Sequence, residues 1–441
     1  FEVAARDVAE WISNYLTGVS AYPVLAQVKP GEVREGLPQG LPEEGEPFKD
    51  LLKDFEELVL PGVTHWNHPG FFAYFSITGS APGVLGEMLA SALNINAMVW
   101  RSSPAGTELE EHTLDLLRGL LGLPAGFDGT INDTASSSTL YALAAAREEK
   151  MPEAWEHGLS GTARGRFYAS EQAHASVEKA VITLGFGRSG TRKIPTDADF
   201  RMIPGELRRA VLEDLEAGIK PLGVVATLGT TSTTSLDPVA EILEIAREFN
   251  LWLHVDAAYG GPAAAVPELK PLFRGWEGAD SIVVNPHKWL FTPIDCSVLY
   301  VRDTERLRKA FSLTPEYLTT PEQGTATNLM DYGVALGRRF RSLKLWFVLR
   351  YFGAEGIRSR IRQHVAIARE LASRVDEHPD WVRVAPVPFS VVVLRFAPKG
   401  VPGDEADGLN REVMERINET GEFFLSHTVL DGRFCLRVAL G

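Results

Sequence analysis

An α/β protein with a mainly parallel sheet, preceded by a helical arm and followed by a small α+β domain, is predicted by this sequence on three observations. Between about residues 81 and 345, short apolar runs alternate with amphipathic stretches, the runs reading GRFYAS, PLGVVATLG, LWLHVDAAY, DSIVVNPH and CSVLYVR. Such alternation is the pattern of strands joined by helices that cover a parallel sheet. Before it the chain is helical and rich in proline; after it, a long amphipathic helix is followed by mixed helix and strand. The expected parts are an N-terminal helical arm and dimerisation segment (1–80), a large α/β domain (81–345) and a small C-terminal α+β domain (346–441).

Each element has a local cause. In FEVAARDVAEWISNYL, Val3, Val8, Trp11, Ile12, Tyr15 and Leu16 recur on one face of a helix. A Pro/Gly-rich crossing leads to a second helix around FKDLLKDFEELVL and then to an aromatic loop, THWNHPGFFAYF. GTIND reads as a short strand whose end, Thr134-Ala135-Ser136-Ser137-Ser138, runs into the helix STLYALAAAREEK. Asp237 is placed to cap the helix AEILEIAREF, Pro238 suits its first position, and Asn250 closes it. The last hundred residues give a helix at EGIRSRIRQHVAIARELASRV, a strand at VVVLRFA, a helix at DGLNREVMERINETG and a strand at FCLRVAL.

Composition narrows the function classes. The 441 residues carry 58 acidic against 44 basic side chains, a formal charge of -14, with no dense basic run, so nucleic acid and anionic membrane are not expected partners. Two cysteines, Cys296 and Cys435, exclude a disulfide framework and a thiolate zinc cluster, and point to a reducing, cytoplasmic setting. No apolar run has membrane-spanning length. His65 and His68 form an H-x-x-H beside Pro69 without a third ligand, which reads as a loop and not as a metal site.

Ligands of open α/β sheets bind outside the carboxyl ends of the strands. There the sequence sets Asp256 after LWLHV, Asn285-Pro286-His287-Lys288 after SIVV, His174 shortly after RFYAS, Thr230 and Thr231 after VVATLG, and the serine run after GTIND. Singly, each has an ordinary explanation: a turn cap, a buried histidine, a helix N-cap, a lysine reaching out to water. Jointly they describe one chemistry. Small residues at a helix N-terminus suit a phosphate, a lysine among apolar neighbours suits an aldehyde, and an aspartate suits a protonated pyridine nitrogen with an imidazole stacked on the ring. Those three requirements together are those of pyridoxal phosphate. Neither a Walker pattern nor a dinucleotide glycine fingerprint is present.

The motifs THWNHPGFFAYF, SPAGTELE, EQAHASVEKA, VVATLGTTSTTS, WLHVDAAYGG, NPHKWL, LGRRFRSLKLWFVLR and GEFFLSHT occur in an order that resembles the aromatic L-amino acid decarboxylases, group II pyridoxal-phosphate decarboxylases. The resemblance spans nearly the whole chain and implies the fold-type I, aspartate aminotransferase-like fold. It implies that Lys288 forms the Schiff base, Asp256 pairs with the pyridine nitrogen and His174 stacks on the ring. Ala258 then packs beneath the ring with Thr231 close by, while Ala135, Ser136, Asn285 and His287 hold the phosphate. Trp66, Tyr74 and Phe75 of the arm, with Ile77, Asn96, Met98 and Gly337, are implied to line the substrate pocket of a homodimer with shared active sites.

The implied reaction is decarboxylation of an aromatic L-amino acid to its amine, with Tyr317 as the acid that protonates Cα; Tyr332 is the competing tyrosine. Aldehyde-forming relatives commonly carry phenylalanine at the position of Tyr317, so tyrosine favours the amine. An aldehyde synthase or transaminase on the same scaffold is the alternative, and a non-catalytic binder is a third reading, disfavoured by the intact Lys288, Asp256, His174 and Tyr317. Ser76 and Ile77 replace the Pro-Thr pair often found in the family, and losing the threonine hydroxyl favours an apolar ring face, hence tryptophan or phenylalanine over dopa.

Overall fold

The computed structural model describes residues 1–313, 321–322 and 324–441. They group into two compact units, one of residues 1–76, 378–382 and 394–439, the other of residues 77–377, 383–393 and 440–441.

The larger unit is built on a seven-stranded sheet of β1 (Asp128–Asn132), β2 (Gly165–Ser170), β3 (Thr191–Ile194), β4 (Lys220–Thr227), β5 (Trp252–Asp256), β6 (Ser281–Val284) and β7 (Ser297–Val301), in the order β1-β7-β6-β5-β4-β2-β3. Only β7 runs against its neighbours; the pairs β6/β5, β5/β4, β4/β2 and β2/β3 are parallel. Every residue of β5, β6 and β7 is buried, which explains why these strands read as unbroken apolar runs instead of alternating ones. The helix Ala135–Lys150 lies on the sheet, with Leu143, Ala145 and Ala146 in one cluster with Phe167, Val225 and Leu299. Burying each of the larger side chains contributes roughly 1.5–3 kcal/mol.

Two glycines bring the strand ends together. A Cβ on Gly260, after β5, would stand 2.4 Å from the carbonyl oxygen of Leu228, after β4. Gly229 has φ +106°, and a Cβ there would come within 3.2 Å of the Gly260 nitrogen. The two loops therefore pass backbone against backbone, which only glycine permits.

One sequence expectation is corrected. Asp237 does not cap the helix Val239–Glu248; its carboxylate accepts from the amides of Met202 at 2.7 Å and Thr227 at 2.8 Å. Those two buried N–H groups have a stronger claim on it than a helix end that begins with proline. Asn250 does close the segment, at φ +51°.

In the smaller unit, the helix Glu2–Gly18 stacks Trp11 on Tyr15 at 5.2 Å. Strands β10 (Ser426–Leu430) and β11 (Arg433–Ala439) form an antiparallel hairpin through Asp431 and Gly432, both at positive φ. The smaller sheet runs β10-β11-β9-β8, with β8 at Trp381–Arg383 and β9 at Val391–Phe396. No helix among the described residues is long and apolar enough to cross a membrane.

Candidate active site

The parallel strands bring their carboxyl ends to one edge of the larger sheet, and chemistry-bearing residues follow each of them. Asp256 is the last residue of β5, only 6% exposed, and its Oδ1 accepts from the Ala258 amide at 3.1 Å. Beside it, after β6, Asn285 leads into the short helix Pro286–Trp289, whose third residue is the half-buried Lys288. That turn is held from behind: the Trp289 ring stacks on Tyr259 at 5.0 Å and 3°, and its Nε1 donates to His364 at 3.0 Å. Trp289 and Tyr259 lie within the quoted motifs NPHKWL and WLHVDAAYGG, but the sequence assigned them no role.

His174 follows β2 and caps the helix Ala175–Val181. Its Nδ1 accepts from the Ser176 amide at 3.2 Å, so the neutral ring carries its proton on Nε2, and the ring is exposed for stacking. Desolvation lowers its pKa; the nearby Asp256 carboxylate opposes and the Lys288 ammonium reinforces that shift. His174, Asp256 and Lys288 thus occupy one electrostatic neighbourhood, although they come from three strand ends.

A second group of donors suits an anion. Ala135 and Ser136 open the helix Ala135–Lys150, whose first amides point outward with the positive end of the helix dipole. Thr134 caps this helix, and Ser138 within it bonds Ser297 of β7 at 2.9 Å. The Cys296 amide donates to His287 Nδ1 at 2.9 Å, and burial holds the His287 pKa down at about 4, so the neutral ring has its proton on Nε2. Nε2 lies 3.2 Å from Asn285 Nδ2, and Asn285 Oδ1 is buried without a hydrogen-bond partner among the described residues. As placed, two N–H donors face each other. Turning the amide over makes Oδ1 the acceptor of the imidazole proton and releases Nδ2. In both orientations the pair keeps an N–H for an outside acceptor, which is what a phosphate requires. The residues present therefore fit pyridoxal phosphate.

The remaining expectations fall in different places. Thr231 is exposed beside the buried Thr230, and Ala258 is buried with its carbonyl accepting from the Asn285 amide at 3.0 Å. Asn96, Met98 and Gly337 are neighbours in the larger unit: Asn96 Oδ1 accepts from the Arg338 amide at 2.9 Å, and a Cβ on Gly337 would lie 3.9 Å from Asn96 Nδ2. Ile77, half-buried, is also in the larger unit. Trp66, Tyr74 and Phe75 are in the smaller unit, where Trp66 stacks on Tyr74 at 5.9 Å and Arg437 lies over Phe75. Tyr317 lies outside the described residues. Tyr332 is buried, in the turn Leu329–Tyr332. His65 Nδ1 meets the Tyr15 hydroxyl at 2.8 Å and His68 Nδ1 accepts from the Gly70 amide, so both histidines are engaged within the protein.

Comparison with known proteins gives a consistent picture. Residues 30–397 match the pyridoxal-dependent decarboxylase conserved domain. Tryptophan decarboxylase 1 of Oryza sativa subsp. japonica is 40% identical over 98% of this chain and 88% of its own length. Phenylacetaldehyde synthase of Arabidopsis thaliana is 38% identical over 98% of this chain and 90% of its own. A crystal structure of Oryza sativa TDC with PLP and tryptamine superposes with a TM-score of 0.97 at 39% identity, covering 100% of this chain and 93% of that one.

Proposed function

Because the chain belongs to the pyridoxal-dependent decarboxylases, we propose that its reaction is the conversion of an aromatic L-amino acid into the corresponding amine and CO2. The observation that carries this reading is the placement of His174, Asp256 and Lys288 at or just after the carboxyl ends of three parallel strands of one sheet. When bound, pyridoxal phosphate supplies an electron sink for the charge left at Cα as CO2 departs.

The residues of this chain divide the remaining work. Lys288 would supply the amine that holds the cofactor's aldehyde. Asp256 keeps a proton on the pyridine nitrogen, as a buried carboxylate beside a cationic ring does. His174 would stack a neutral imidazole on the ring, with Ala258 packed against it and Thr231 close by. The amides of Ala135 and Ser136, with Asn285 and His287, hold the phosphate. Tyr317 delivers the proton to Cα, while Trp66, Tyr74, Phe75, Ile77, Asn96, Met98 and Gly337 belong to substrate recognition, with an apolar ring such as tryptophan's or phenylalanine's preferred.

The test is incubation of the cofactor-loaded protein with an equimolar mixture of tryptophan, phenylalanine, tyrosine, dopa, histidine and glutamate, with products read by mass. An aromatic amine formed one for one with CO2 is expected. Aldehyde with ammonia and hydrogen peroxide would instead assign the chain to the aldehyde-forming reaction named for its Arabidopsis relative. With Tyr317→Phe, amine formation should fall by about 10²-fold or more and aldehyde should rise; an unchanged product ratio removes Tyr317 from the proton transfer.

A homodimer belongs to this proposal. On the helix Ala81–Leu93, Leu85, Met88, Leu89 and Leu93 form one stripe, each 40–60% exposed. A second copy is the occupant that the family resemblance implies for this stripe. Molar mass in solution should be twice that of the chain, and Leu89→Glu should lower it to one; a monomeric wild type that is fully active contradicts the proposal. Cytoplasmic residence is supported by two buried free thiols, Cys296 and Cys435.

A further inference from the structure

Arg341 stands at the start of the helical segment Arg341–Glu377, which is interrupted at Gly353, and it lies within the motif LGRRFRSLKLWFVLR without an assigned role. Its guanidinium grips Asp295 as a fork, Nε to Oδ1 at 2.9 Å and Nη2 to Oδ2 at 3.2 Å. Asp295 is the residue before Cys296, and Cys296 is bonded twice to His287: its amide donates to Nδ1 at 2.9 Å and its carbonyl accepts from the His287 amide at 3.3 Å. The Cys296 amide is what sets the His287 proton on Nε2, toward Asn285. A second carboxylate is near Arg341. Asp133 lines the same cavity of about 120 Å³, and its negative charge contributes to raising the Arg341 pKa. That volume admits bridging water. Asp133 Oδ1 accepts from the Thr134 amide at 2.8 Å, and Thr134 caps the helix whose first residues are Ala135 and Ser136.

The two halves of the donor set come from chain segments far apart in sequence; Arg341 is bonded to Asp295 at the root of one and shares a cavity with Asp133 at the root of the other. The fully buried Lys344, one turn further along the helix, adds positive charge: its Nζ lies 2.8 Å from Glu87 and 4.0 Å from Asp295. We propose that Arg341 is a positioning residue for the cofactor's phosphate, holding Asp295 and facing Asp133 across their shared cavity so that the Asn285–His287 pair and the Ala135–Ser136 turn present N–H groups to one anion. Arg341 touches neither the phosphate nor the reacting atoms in this assignment. The inference rests on the cofactor reading above and adds to it a requirement for one specific fork.

The experiment compares pyridoxal phosphate with pyridoxal, which has the aldehyde and the ring but no phosphate. Apoprotein is titrated with each, and binding is followed by visible absorbance. Arg341→Met should weaken pyridoxal phosphate about tenfold or more, the scale seen when groups that orient direct ligands are removed, and should leave pyridoxal within about twofold of wild type. Arg341→Lys keeps the charge and loses the fork, so it should give a smaller loss, again confined to the phosphorylated form. Inorganic phosphate should compete with pyridoxal phosphate less well in Arg341→Met than in wild type. Equal weakening of both aldehydes would reduce Arg341 to a general structural role and overturn the proposal, as would no weakening of either. If Arg341→Met does not fold, Arg341→Lys decides by the same ratio. Failure of the cofactor reading is distinguishable, because wild type itself would then bind neither aldehyde and Lys288→Ala would change nothing.

Discussion

At the scale of single residues, Lys288 concentrates the argument. Its turn is backed by Trp289 and Tyr259, while His174 and Asp256 share its electrostatic surroundings. Lys288→Ala removes the amine without disturbing the backbone bond from its amide to Asn285 at 2.9 Å. Turnover should drop by more than about a thousandfold, the scale of losing a reacting group, with the thermal transition of the apoprotein unchanged to within about 2 °C. Near-normal amine production by this variant would remove the lysine from the chemistry. Lys288, Asp256, His174 and the serine turn were legible in the sequence because each sits directly after a strand, and the strands themselves were legible. Arg341 and Asp295 were not: Arg341 lies within the motif LGRRFRSLKLWFVLR, but nothing in that run names its partner, and the fork joins it to a segment on a different element. The Asn285–His287 donor pair was legible as residues, but the tautomer that makes it a pair of donors depends on Cys296, whose approach only the folded chain reveals.

Among elements, the helices Ala81–Leu93 and Arg341–Glu377 meet so closely that a Cβ on Gly86 would stand 2.7 Å from the Cα of Lys344. Backbone cannot yield there as a flexible side chain would, so the helices must separate and disturb the Glu87–Lys344 ion pair. Gly86→Ala should therefore destabilise by about 1–3 kcal/mol. Gly119, within the helix Pro104–Leu121, has nothing within 4 Å of its added Cβ. Gly119→Ala should stabilise by roughly 0.4–1 kcal/mol through the unfolded chain. Denaturant midpoints of the two variants settle the contrast; the same sign for both would mean that packing at Gly86 is looser than the geometry requires. Element legibility followed burial. The strands β4 to β7, buried on both faces, announced themselves as apolar runs, whereas β3 reads TRKI with only Ile194 buried and β10 exposes His427 and Val429. The hairpin of β10 and β11 had a readable signal in Asp431-Gly432, a pair suited to positive φ at both turn positions. The reversal of β7 had none, because an antiparallel strand buried on both faces has the same composition as a parallel one.

For the whole molecule, folding couples far more distant partners: the amide of Phe72 donates to Phe424, and that of Phe424 donates to Gly70, a pairing no sequence window contains. Global stability also integrates the buried titratable groups, and these fix how it responds to acid. Among the described residues, burial lowers five histidines, His65, His174, His254, His287 and His364, and raises three acids, Glu111, Glu148 and Asp237. His254, His287 and His364 fall from the ordinary 6.5 to about 4. Between those limits the unfolded chain takes up protons that the folded one refuses, so their stabilisation is present above the upper limit and is lost as pH falls toward the lower. Asp237, raised to about 6, works in the opposite sense: folded, it keeps a proton that the unfolded chain has released, and its contribution is lost as pH rises through that value. The histidines prevail in number, so stability should decline on acidification from pH ~7 to ~5. His254 isolates the effect, because it is fully buried on β5 against Ser281 and Thr139, away from the surface. Its own contribution over that interval is about 2 kcal/mol. In His254→Gln, the difference in unfolding free energy between the two pH values should shrink by about that amount, whatever the variant's absolute stability, when measured by urea at one protein concentration. An undiminished difference would mean that His254 is protonated in the folded protein, and its place in the core of the sheet would then need a buried counter-charge, for which Asp256, two residues along the same strand, is the candidate among the described residues.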